Sequence, residues 1–161
     1  LYTQRVVVVR ADSQIQSLED LKNKRVGVQT GSTSEEIILN QLNPNFPELE
    51  QLTSFREIGE VFTALRKGYV DAIVGHESSF GTYTEEYPSE YRFLKMSLRS
   101  EAVGVAFQKG GDEGVVRKLN KAFGEMQQDK TMEKIVKKFG LDVEKNVYGG
   151  DADDQTKEGE K

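Results

Sequence analysis

The chain has 161 residues, which suits one domain or two small lobes, and no apolar run approaches the roughly 20 residues that span a bilayer. A net charge of −5, from 22 basic and 27 acidic residues, disfavours a nucleic-acid partner, and no basic stripe with interleaved aromatics offsets it. With no cysteine and one histidine, thiolate zinc sites, disulfides and cysteine nucleophiles are excluded, and only His76 is left as the base of a serine triad.

The chain opens on LYTQRVVVVR, which reads as a strand and not as a secretory leader. The β-branched run Val6, Val7, Val8, Val9 predicts a strand buried on both faces. Ser17 is the expected N-cap of a short helix carrying Leu18 and Leu21. Arg25 to Val28 predicts a second strand, which runs into Gln29, Thr30, Gly31, Ser32, Thr33 and Ser34. A helix follows, acidic in its first turn (Glu35, Glu36) and apolar at Ile37, Ile38 and Leu42. Ser54 to Glu57 reads as a capping box that opens an amphipathic helix with Ile58, Val61, Phe62 and Leu65 inward and Gly68 at its end.

Val70 to Val74 predicts the next strand, and the bend at residues 75–79 leads into a helix stopped by Pro88. Asp71 inside that strand needs a partner, and Arg66 or Lys67 is nearest in sequence. Residues 92–98 and 103–107 are further strand candidates. Asp112 and Thr131 are expected to cap two helices, the second closed by Gly140 and bearing a solvated face over residues 133–138. Tyr83, Tyr87 and Tyr91 follow helical spacing and read as packing or surface residues. From Gly149 on there is little to bury, and residues 149–161 are expected to form a disordered acidic tail. Alternating strands and helices imply an α/β body with a mostly parallel sheet and flanking helices. Ligands of such sheets sit beyond the C-terminal ends of the strands, where residues 29–34 and 75–79 lie.

The first of these loops supports two readings. Gly31 permits close backbone approach, first-turn amides have no intrahelical acceptor, and three hydroxyls can donate alongside them, which suits a small anion. The same residues also make an ordinary N-cap and turn. A phosphate-binding P-loop is disfavoured, because the lysine is missing. His76 either donates to a ligand or caps a helix, and Glu77 either receives an amine or sits in a first turn where the dipole favours it.

The order of segments resembles the extracellular solute-binding proteins (bacterial family 3) of polar amino-acid ABC transporters. The resemblance is carried by residues 17–33 (SLEDLKNKRVGVQTGST), 64–74 (ALRKGYVDAIV), 103–107 (VGVAF) and 131–140 (TMEKIVKKFG), and it spans roughly residues 6–140. It implies a type II periplasmic-binding-protein-like fold, a two-lobed clamshell that closes by hinge bending. On that reading residues 1–10 are the entry and first hinge strand, and 11–102 the ligand-binding second lobe. Residues 103–148 are then the other hinge strand, at 103–108, and C-terminal helices of an incomplete first lobe. The part of lobe one that carries the ligand-carboxylate arginine has no counterpart here. The C-terminal helices are therefore expected to pack on a second copy, to swap between chains or to cover lobe two.

The resemblance also implies the site. Thr33 matches a position that binds an α-carboxylate, Ser32 and Ser34 flank it, and the loop becomes a ligand loop in preference to a mere cap. His76 stands where the family has an aspartate paired with the ligand ammonium, with Glu77 adjacent. The expected ligand-binding residues are Thr30, Ser32, Thr33, Ser34, His76 and Glu77. No catalytic residue, metal or cofactor is implied. The implied partners are an amino acid or related carboxylate and a membrane permease or fused membrane protein, at a periplasmic or extracellular, membrane-associated location. A ligand-sensing domain of a membrane receptor or sensor kinase is the alternative. An enzyme on the same scaffold, which would need Glu77 as general acid, is the third reading.

Overall fold

The computed structural model describes residues 1–149, apart from the side chains of residues 95–97 and 99. The expected disordered tail therefore lies, from residue 150 on, outside the described residues. Two compact units divide the chain: Gln4–Arg99, and Leu1–Thr3 together with Ser100–Lys161.

The valine run organises the first unit. It lies in β1 (Tyr2–Arg10), and Val6 to Val9 are all buried, so both faces of the strand are covered. Period-two alternation then sorts its side chains: Val7 and Val9 join one core cluster, Val6 and Val8 the other. β2 (Arg25–Gln29), β3 (Gln51–Phe55), β4 (Ala72–His76) and β5 (Tyr91–Ala102) complete a five-stranded sheet in the order β3-β2-β4-β1-β5. The sheet is mixed: β2 runs parallel to β3 and β4, whereas β1 runs antiparallel to β4 with Val7 opposite Val74. Ile37 of α1 (Thr33–Leu39) packs into the first cluster, and Val61, Phe62 and Leu65 of α2 (Ile58–Arg66) into the second with Phe80 of α3 (Glu77–Glu86).

Local corrections have clear physical reasons. Ser17 caps nothing: the carboxylate of Asp20 accepts the N–H groups of Gln16 and Ser17 (2.8 and 3.0 Å), and only a 3-10 turn forms at Glu19–Leu21. Ser54 belongs to the edge strand β3, and the capping box falls one turn later, with the Glu57 N–H donating to Glu60 at 3.2 Å. Asp71 pairs with Arg25 and not with Arg66 or Lys67. The guanidinium donates to both carboxylate oxygens (3.1 and 2.7 Å) and the Arg25 N–H donates at 3.0 Å. The tyrosines pack as expected, Tyr83 stacking on Phe62 at 4.4 Å and Tyr91 meeting it edge-on at 5.2 Å.

In the second unit, α4 (Glu113–Gln128) starts at Asp112, whose side chain accepts the Gly114 N–H. α5 (Thr131–Lys138) is preceded by Lys130 in a left-handed conformation, and the Thr131 N–H donates to Asp129 at 2.8 Å, so Thr131 is not the cap. Gly140 closes it at φ 70°. Its face is not wholly solvated, because Glu133 accepts the Tyr148 hydroxyl at 2.8 Å. A further helix, α6 (Val143–Val147), was not foreseen. Residues 103–108 form no strand: β5 ends at Ala102, and Val103, Val105 and Phe107 are exposed along an irregular segment. Alternation of large and small residues does not make a strand without a neighbour to supply the hydrogen-bond ladder.

Candidate functional site

β2 and β4 lie parallel and adjacent, so the turns after them emerge at the same edge of the sheet. There the turn at residues 32–34 and the bend at residues 75–80 line one cleft of about 350 Å³, with every lining residue inside Gln4–Arg99.

The first wall is built by a cap. Ser32 is the N-cap of α1, and its hydroxyl oxygen accepts the Glu35 N–H at 3.2 Å. Gly31, at φ 71°, turns the chain into the helix. The Glu35 carboxylate reaches back to accept the Gly31 N–H at 2.6 Å and also accepts the Ser54 hydroxyl. The hydroxyl of Ser54 and then the Gly31 amide hold the Glu35 carboxyl below the usual glutamate range. Thr33 opens the helix and is half-buried. Ser34 is 1% exposed and lines the cleft.

The second wall follows β4. His76 ends that strand and is the N-cap of α3, its Nδ1 accepting the Ser78 N–H at 3.3 Å with the Ser78 hydroxyl at 2.8 Å. Gly75 is needed for the close approach of Phe80: a Cβ there would lie 2.2 Å from the Phe80 ring. Arg5 adds a cation, because the antiparallel register sets it opposite His76.

Four of the expected residues, Ser32, Thr33, Ser34 and His76, thus share one cleft. Thr30 and Glu77 do not line it. The Thr30 N–H is engaged by the Phe55 carbonyl at 2.8 Å, and Glu77 begins α3 one position beyond His76. Arg5, Ser78 and Phe80 were missed. Ser78 lies within the bend at residues 75–79 and Phe80 one position past it, but Arg5 is seventy residues from it and has no local signal. Among the described residues no cluster of metal-ligating side chains occurs, and no helix is long and apolar enough to cross a membrane.

Comparison with known proteins places this architecture. A sheet of this order with flanking helices and a cleft at its strand ends is a periplasmic-binding-protein lobe. The family model described as "ABC transporter, phosphonate, periplasmic substrate-binding protein" matches residues 2–147, and the chain belongs to that family. It is 33% identical over 151 residues to the histidine-binding periplasmic protein of Escherichia coli (strain K12), covering 89% of this chain and 56% of that protein. It is 30% identical over 134 residues to the arginine-binding extracellular protein ArtP of Bacillus subtilis (strain 168), covering 83% of this chain and 51% of that one. A solved ancestral arginine-binding protein bound to glutamine superposes with a TM-score of 0.61 at 33% identity, covering 86% of this chain and 60% of that chain. The chain therefore spans little more than half the length of these relatives.

Proposed function

We propose that this chain is the ligand-binding part of a solute-binding protein of an ABC transporter, working outside the cytoplasmic membrane and handing its solute to a membrane permease. The solute is a small amino acid or related carboxylate held in the cleft by Ser32, Thr33, Ser34 and His76. The observation that carries this reading is that two turns about forty residues apart in sequence, one rich in hydroxyls and one bearing the sole histidine, line a single cleft at the ends of parallel strands. The named binding functions of the relatives support it. Binding and release need no bond-breaking step, and no catalytic role is assigned.

Calorimetry on the 161-residue chain with L-histidine, L-arginine, L-glutamine and succinate tests the reading. Binding of one of them, weakened by Thr33→Val, is expected. Binding that Thr33→Val and His76→Asp both leave unchanged would place the ligand elsewhere.

A further inference from the structure

The turn that brings Ser32, Thr33 and Ser34 to the cleft is anchored to the edge strand β3. The Thr30 N–H donates to the Phe55 carbonyl at 2.8 Å, and the Gln29 side-chain amide donates to the Arg56 carbonyl at 3.2 Å. Those bonds hold the chain as far as residue 30. Beyond it the tie is Glu35. One of its carboxylate oxygens accepts the Gly31 N–H at 2.6 Å and the other accepts the Ser54 hydroxyl. A single side chain thus joins the turn, α1 and β3.

This is more than an ordinary helix cap. In a capping box the glutamate three positions into the helix returns to the N-cap amide. Here the Ser32 N–H already donates to the Gln29 carbonyl at 3.2 Å, and Glu35 reaches one residue further back, to Gly31 at φ 71°. Its second oxygen leaves the helix altogether for Ser54, a partner that capping does not require. Glu35 itself does not line the cleft, whereas Ser32, Thr33 and Ser34 do, so its influence on a solute passes through the turn. A turn fixed before the solute arrives spares binding the cost of ordering it.

We infer that Glu35 is a positioning residue for the cleft: by clamping Gly31 to Ser54 it holds residues 32–34 in the shape that receives the solute. The inference rests on the proposal that this cleft is the ligand site.

The test uses the 161-residue chain, with L-histidine, L-arginine, L-glutamine and succinate as calorimetric probes and with amide hydrogen exchange read at Gly31 in the solute-free protein. The Gly31 amide is expected to exchange more slowly in the parent than in Glu35→Ala. The probe that binds should lose about tenfold in affinity in Glu35→Ala. Glu35→Gln should regain most of that loss, because its side-chain oxygen can accept the Gly31 N–H while its NH2 group donates to Ser54. Glu36→Ala, which removes a charge from the same first turn, should stay near the parent. If Glu35→Ala does not fold, Ser54→Ala carries the test, with a loss of about threefold expected.

Equal exchange of Gly31 in the parent and Glu35→Ala overturns the inference alone. So does binding that Thr33→Val weakens and Glu35→Ala does not, because the cleft is then the site and the clamp is idle. Losses in Glu35→Gln or Glu36→Ala equal to that in Glu35→Ala also overturn it, since charge and not the clamp then sets the affinity. Binding indifferent to both Thr33→Val and Glu35→Ala, or no binding of any probe, overturns the inference and the site together.

Discussion

Arg5 and His76 face one another across the antiparallel β1–β4 pair, and both line the cleft. Directly opposed residues of such a pair share a face of the sheet, so a guanidinium and an imidazole are held side by side by backbone register and not by any local motif. Arg5→Gln is expected to weaken binding of a carboxylate solute by about 1.5–3 kcal/mol, the range for a hydrogen bond to a charged group. Arg5→Lys should restore only part of it, because an ammonium lacks the planar fork. Calorimetry at two salt concentrations checks both.

The two hydroxyls that begin α1 are expected to separate by role. Ser32 caps the helix, so Ser32→Ala should lower stability by about 1 kcal/mol. Thr33 caps nothing, so Thr33→Val should leave the melting temperature nearly unchanged and weaken solute binding by about 1–3 kcal/mol. Thermal melts beside calorimetry on the same two variants read the difference. A melting loss in Thr33→Val as large as in Ser32→Ala would count against the assignment.

Gly75→Ala is expected to damage fold and cleft together. The added methyl would sit 2.2 Å from the Phe80 ring, which is 3% exposed and packs edge-on against Phe62 at 5.0 Å. Overpacking of this kind, which forces the ring to shift, costs about 1–3 kcal/mol. Chemical denaturation should show a lower midpoint, with the solute affinity reduced as the Phe80 wall shifts.

Asp71 makes stability depend on acid. Burial raises its carboxyl, but the Arg25 guanidinium and N–H, with the charges of Arg25 and Arg10, outweigh burial and hold it below the usual aspartate range. The unfolded chain therefore takes up the proton first as pH falls. The stabilisation is complete above the unfolded value of about 4 and is lost as pH drops through the lower folded value. Asp71→Asn should cost about 1–2 kcal/mol at neutral pH, discounted because the side chain is 23% exposed, and the gap to the parent should close in acid. Melting temperatures of both proteins across pH 2 to 7 measure it.

What the sequence revealed depended on how local the cause was. The valine run and the spacing of Ile58, Val61, Phe62 and Leu65 announce their elements because burial on one face, or on two, selects those residues. β3 was hidden because an edge strand with Gln51 and Ser54 exposed needs no apolar alternation. The turn at residues 32–34 and His76 were legible because each ends a strand that could be read alone. Arg5 was not, since only the antiparallel register of β1 brings it to that edge. The segment at residues 103–108 misled in the opposite sense, its alternation suggesting a strand that has no ladder.

That register also orders events in folding. Val7 must find Val74, and Arg5 must find His76, across about seventy intervening residues, so the central pairing carries a long loop-closure cost. During synthesis the Val6–Val9 run of β1 waits, apolar and without its β4 partner, until β4 has been made, and it is the stretch most in need of protection from neighbouring chains. A solute can then rescue only molecules whose central strands have already met, so added ligand should slow unfolding more than it hastens refolding.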